Sequence, residues 1–119
     1  NASHAEGACL PLMRALAVPV NPQQILAASL MHFTGLRRWR AEVDAGRSVR
    51  EVLDGSRPKP HFSRRAALEQ QLRLWSDPLL ATATSRLHAA TAESRRRTAL
   101  AESILRRTLL GLCRAAAER

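Results

Sequence analysis

Phe62 follows Pro58-Lys59-Pro60 and precedes Arg64 and Arg65. The two prolines make the approach stiff and extended. An aromatic ring beside cations at a helix start can stack a base while the helix end holds a phosphate. The same ring can instead fold back on its own helix as a hydrophobic staple. A second basic feature is Arg95-Arg96-Arg97, read as a turn between two helices. Arginine matches phosphate in a bidentate way, although such a run also serves as a solvated loop. Phe62, Arg64, Arg65, Arg95, Arg96 and Arg97 are therefore the candidate DNA contacts. If the intervening helices make two antiparallel passes, the two loops converge at one end of the fold.

Trp39 stands among Arg37, Arg38 and Arg40, at the edge of a helical apolar stripe. Half-burial, or service as an interface anchor, follows from that position, since Trp and Arg are favoured at binding hot spots. Arg106 and Arg107 flank the apolar stripe of the last helix. They can snorkel over it or pair with acidic residues of a neighbouring subunit. Trp39, Arg106 and Arg107 are the candidate subunit-interface residues. Trp75 lies on the Leu68–Leu72 stripe and is read as the core anchor, because large aromatics dominate packing.

Other chemistry finds little support. The sequence has no G-x-x-x-x-G-K-[ST] phosphate loop and no catalytic constellation. His4, His32, His61 and His88 are scattered, and Cys9 and Cys113 lie far apart in sequence. No metal, cofactor or catalytic residue is expected. The two cysteines read as buried thiols in a reducing, cytoplasmic setting. No apolar run approaches the roughly 20 residues that span a bilayer.

These side chains need a scaffold, and composition selects its class. The chain has 119 residues, and 45% of them are hydrophobic but only 3% aromatic. One globular domain is expected, and a sheet-based fold is disfavoured. The 19 basic and 10 acidic residues leave a net charge of +9. Such a surplus attracts polyanions or acidic protein surfaces.

The punctuation predicts helices. Ser3 to Glu6 has capping-box spacing and opens a helix over about residues 4–17. Asn21-Pro22 starts a long helix to about Ala45, with Leu26, Leu30, Phe33, Leu36 and Val43 on its stripe and Gly46 as its stop. Ser48 and Glu51 open a short helix ending at Gly55. A helix from about Ser63 to Leu74 carries Leu68, Leu72 and Trp75. Ser76-Asp77-Pro78 caps the next, with Leu80, Ala83, Leu87 and Ala90. The last runs from about Thr98 to Ala117 with Leu105, Leu109, Leu112 and Ala116. The expected fold is an all-α bundle of five to six antiparallel helices with short loops and no sheet.

Four stretches carry a family resemblance. They are Leu30 to Phe33 with Leu36 to Arg38; Ala45 to Ser48; Arg57-Pro58-Lys59-Pro60-His61-Phe62-Ser63-Arg64-Arg65; and Gln71-Leu72-Arg73-Leu74-Trp75-Ser76. In this order and spacing the chain resembles the C-terminal domain of the delta subunit of bacterial DNA polymerase III, from about Ala15 onward. The Arg-Pro-x-Pro-x-Phe-x-Arg-Arg segment followed by Leu-x-x-Trp-Ser is the specific part. His61 and Ser63 depart from the family, which commonly has an aromatic or aliphatic residue and a Lys or Arg there.

The resemblance implies a helical collar domain over residues 21–119, with residues 1–20 as a helix and link from an upstream region. It implies a non-catalytic assembly module of the clamp loader, the complex that places the sliding clamp on primed DNA. Its partners would be the delta-prime and gamma/tau type subunits, with primed DNA held weakly. The sliding clamp would be reached only through an N-terminal AAA+-like region that 119 residues cannot hold, so a fragment or isolated domain is expected. ATP hydrolysis and nucleotidyl transfer would belong to other subunits. The alternative reading is a stand-alone basic helical nucleic-acid-binding domain.

Overall fold

The computed structural model describes residues 21–57 and 59–117. The helix expected over residues 4–17 lies outside them. Helix α1 spans Pro22–Asp44. Asn21 opens it, its side-chain oxygen accepting the Gln23 N–H at 2.9 Å, and proline suits the first turn because its missing N–H is not needed there. Gly46 closes it at φ 112°. The Gly46 N–H donates to the Val43 carbonyl at 3.0 Å and the Arg47 N–H to the Glu42 carbonyl at 3.2 Å. This is a Schellman closure, which needs a residue tolerant of positive φ.

Helix α2 covers Val49–Gly55 and α3 covers Phe62–Leu74. Ser48 caps α2, its hydroxyl oxygen accepting the Glu51 N–H at 3.1 Å. Helix α4 runs Asp77–Arg96, capped by Ser76, whose oxygen accepts the Leu79 N–H at 3.4 Å. A single 3-10 turn at Thr98–Leu100 leads into α5, Ala101–Ala117. No strand occurs among the described residues, and the fold is an all-α bundle.

The basic turn expected at residues 94–97 is shorter than the sequence suggests, because Ser94, Arg95 and Arg96 are still helical. Ser94 is fully buried, and its hydroxyl donates to the Thr91 carbonyl at 2.8 Å. Bonded within its own helix, it has no reason to break it. The two arginines that follow suit the negative end of the helix dipole.

Helix α4 is the centre of the packing, lying chiefly against α1 and then α5, while α2 and α3 pack on α1 and on each other. Asp77 at the start of α4 pairs with Arg37 in the second half of α1 at 3.4 Å, so α4 runs back along α1. Glu93 late in α4 pairs with Arg107 early in α5 at 3.7 Å, so α5 runs back in turn. Small side chains, Ala83, Thr84, Ala90 and Ser94, are the buried residues that let neighbours approach α4 closely. The expected stripes of α3, α4 and α5 are all buried. In α1 the buried face is Leu26, Ser29, Phe33 and Leu36, with Leu30 and Val43 only half-buried. A face 3.6 residues per turn drifts off a strict four-residue row, and that drift brings Ser29 inward.

Cys113 on α5 is 8% exposed and disulfide-bonded, which corrects its reading as a buried thiol. The one other cysteine of the chain, Cys9, lies outside the described residues. Cysteine usage therefore gives no argument for a reducing compartment, because disulfides persist in oxidising ones.

Trp75 is 2% exposed and meets Phe33 edge-on, with ring centroids 4.9 Å apart. Truncation here leaves a large void that helices fixed on three sides cannot fill. Trp75→Ala should lower stability by about 3–5 kcal/mol in chemical denaturation. An unchanged melting midpoint would mean that the indole is not a core group.

Candidate functional site

The expected DNA-contact residues fall into two separate groups. Phe62 begins α3 and is 82% exposed, with its ring 4.6 Å from that of His61. His61 is itself the cap of α3, its Nδ1 accepting the Ser63 N–H at 3.2 Å. Phe62 therefore does not staple onto the core. Arg64 is exposed beside it, with no side-chain hydrogen bond or ion pair among the described residues.

Arg65 is not available to a ligand in the way its sequence position suggests. Its guanidinium donates to Asp54 at 2.6 Å, to Glu69 at 3.4 Å and to the Arg50 carbonyl at 3.3 Å. These bonds tie α3 to the end of α2. The Arg65 contact holds the Asp54 carboxyl below its ordinary range, and Asp54 in turn raises the Arg65 guanidinium. Arg65 is thus a structural clasp.

Arg95 and Arg96 occupy the last turn of α4, and Arg97 caps it. All three are exposed, and none has an ion pair or side-chain hydrogen bond among the described residues. No bond or ring contact joins them to Phe62 or Arg64. The two groups belong to different seams, one beside α1 and α2, the other at the α4–α5 corner.

Of the expected interface residues, Trp39 is half-buried against the core. Arg106 donates to Glu102 one turn away at 3.1 Å, and Arg107 reaches across to Glu93 at 3.7 Å. Arg106 and Arg107 are therefore engaged within the fold, at lengths and exposures where a partner's carboxylate can compete. Met31, Phe62, Leu100 and Leu110 are the large apolar side chains left exposed, at 77%, 82%, 46% and 46%.

The contacts that sequence reasoning missed lie at the α1–α3 seam. His32 Nε2 donates to Gln71 Oε1 at 2.7 Å. Arg40 donates to the Leu72 carbonyl at 2.7 Å, satisfying one of the acceptors that a helix end leaves open. Both pairs join residues more than thirty positions apart, so no local spacing announces them. The i,i+4 pairs, Arg65 with Glu69, Arg40 with Asp44, Arg73 with Glu69 and Arg106 with Glu102, had a local signal.

Among the described residues no three of His, Cys, Asp and Glu stand together as a metal site, and no helix is long and apolar enough to cross a membrane. Comparison with family models, with curated proteins and with solved structures finds no match.

Burial pushes the His32 imidazole below its ordinary value; the Gln71 hydrogen bond acts against this and the Arg64 charge adds to it. The unfolded chain takes up this proton near pH 6.5, but the folded chain only at lower pH. The His32 contribution to stability is thus intact above the unfolded value and lost as pH falls through the folded one. Melting midpoints should be level above about pH 6.5 and fall as the pH drops below it, and His32→Gln should flatten that fall. An equal fall in the variant would assign it elsewhere. Thermal melts should also separate the adjacent arginines. Arg65→Ala removes the α2–α3 clasp and lowers the midpoint, whereas Arg64→Ala stays within about 0.5 kcal/mol of the parent. Equal losses would deny the clasp.

Proposed function

We propose that this chain is a non-catalytic assembly module, the collar domain that joins a delta-type subunit to the other subunits of a bacterial clamp loader. The resemblance of the segments 57–65 and 71–76 supplies the family. The distribution of charge is the observation that favours assembly over nucleic-acid binding. Asp44, Asp54, Glu69, Asp77, Glu93 and Glu102 are each ion-paired to arginine. Among the described residues the arginines left without such partners are Arg38, Arg50, Arg57, Arg64, Arg86, Arg95, Arg96, Arg97 and Arg114, spread over all five helices, the α4 cap and the loop after α2. A dedicated nucleic-acid site would gather them along one stripe. Dispersed arginine with exposed Phe62, Met31, Leu100 and Leu110 is the chemistry of protein interfaces instead.

On this reading the partners are delta-prime and gamma/tau type subunits. The chain itself turns over neither ATP nor nucleotides.

A second reading rests on Arg95, Arg96 and Arg97, three consecutive unpaired cations at one helix end. They suit a weak phosphate contact whose affinity falls steeply with added salt.

Size-exclusion chromatography of the chain mixed with delta-prime and gamma/tau type subunits tests the first reading, and co-elution is expected. Anisotropy of a labelled primed template at low salt tests the second. Changing Arg95, Arg96 and Arg97 together to Ala should weaken that binding more than Phe62→Ala. Separate elution with strong, salt-sensitive DNA binding would reverse the order of the two readings.

A further inference from the structure

We propose that the groove between α4 and α5 is a docking site for an acidic amphipathic segment of a partner protein. The proposal deepens the assembly reading and rests on it for the existence of a protein partner. The groove has a cavity volume of about 270 Å³, with Arg86, Ala89 and Glu93 on the α4 wall and Arg107, Thr108 and Gly111 on the α5 wall.

Charge complementarity selects the occupant. The groove holds two guanidinium groups, Arg86 and Arg107, and one carboxylate, Glu93. The single internal pair, Arg107 with Glu93, is long at 3.7 Å, and the Arg107 side chain is 74% exposed. Arg86 is exposed and has no ion pair or hydrogen bond among the described residues. The Thr108 hydroxyl already donates to the Ile104 carbonyl at 2.7 Å, so recognition falls to the arginines. A partner carboxylate can take Arg86 outright and share Arg107.

The floor supplies the apolar half of the match. It is formed by Ala89, Ala90, which is 4% exposed, and the bare backbone of Gly111. Gly111 carries an independent argument. It sits inside α5, where alanine is the better helix former. A Cβ there would meet nothing closer than the movable Arg86 guanidinium at 3.8 Å, an ordinary contact. Nothing inside the fold asks for glycine at this point, whereas a neighbour seated close against the groove does.

Other occupants fit less well. A second copy of the chain brings another +9 to a basic surface. A nucleic-acid backbone would set its phosphates against Glu93 and offer nothing to the apolar floor. An acidic helix satisfies both, with Glu side chains for Arg86 and Arg107 and an apolar stripe for Ala89, Ala90 and Gly111.

The experiment is fluorescence anisotropy of the chain with a labelled synthetic helical peptide, Leu on one face and Glu on the other. The same peptide with Gln for Glu and a labelled oligo(dT) serve as comparators. The Glu peptide should bind and the Gln peptide should not. Arg86→Glu should weaken binding about tenfold, and Arg50→Glu, the same charge change on α2, should weaken it far less. Gly111→Leu should block the groove; if it melts early, Gly111→Ala, which favours the helix, should still weaken binding. Oligo(dT) binding should not distinguish Arg86→Glu from Arg50→Glu. Equal losses for Arg86→Glu and Arg50→Glu, equal binding of the Gln peptide, or loss of oligo(dT) but not peptide on Arg86→Glu would each overturn the proposal. Peptide binding in the groove by a chain that fails to co-elute with clamp-loader subunits keeps this site and removes the assembly reading.

Discussion

The grip of α1 on the corner between α3 and α4 organises the fold. The corner is two residues long, Trp75 and Ser76, and carries the chain from the end of one helix into the start of the next. Four side chains of α1 hold it. His32 takes Gln71, Phe33 takes Trp75, Arg40 takes the Leu72 carbonyl and Arg37 takes Asp77. The indole supplies burial, and the polar contacts around it satisfy groups that a helix end would otherwise leave open. Because the corner is so short, fixing it also fixes where α4 sets out, and α4 is the helix on which α1 and α5 both pack.

Sequence reads local events well here and distant ones poorly. Asn21, Gly46, Ser48 and Ser76 act within two or three residues of themselves, so their types and spacing foretell the caps they make. The apolar stripes of α3, α4 and α5 are equally legible, since helical periodicity states which residues share a face. The corner's polar grip is not legible. His32 and Gln71 are ordinary surface residue types until the fold brings them together. Ser94 misleads for a related reason. A serine before three arginines looks like a turn, but its hydroxyl is satisfied inside the helix and its small size suits a crowded centre.

The candidate site shows the same division. Phe62 stands exposed at the start of α3, yet Arg65 three residues later is spent on Asp54 and Glu69. A charge run in sequence does not say which of its members face solvent and which face a carboxylate. Adjacent arginines differ by about 100° around a helix. Arg64 and Arg65 thus share a motif while one is left open and the other closes the α2–α3 seam.

That sorting bears on how such a basic chain works. Its acidic residues are few, and the fold commits three of them to pairs that bridge helices: Asp54 between α2 and α3, Asp77 between α1 and α4, Glu93 between α4 and α5. Exposed pairs of this kind add little stability one at a time. Their larger consequence is subtractive, because each removes a cation from the surface on offer and so decides where positive charge remains. Two of the remaining positions stand beside apolar surface: Arg64 near Phe62, and Arg86 across the groove from Gly111. A polyanion gains from charge wherever it lies, whereas a folded partner gains only where charge and apolar contact coincide. The arrangement of the acids, more than the number of arginines, is therefore what favours a protein surface as the counterpart of this bundle.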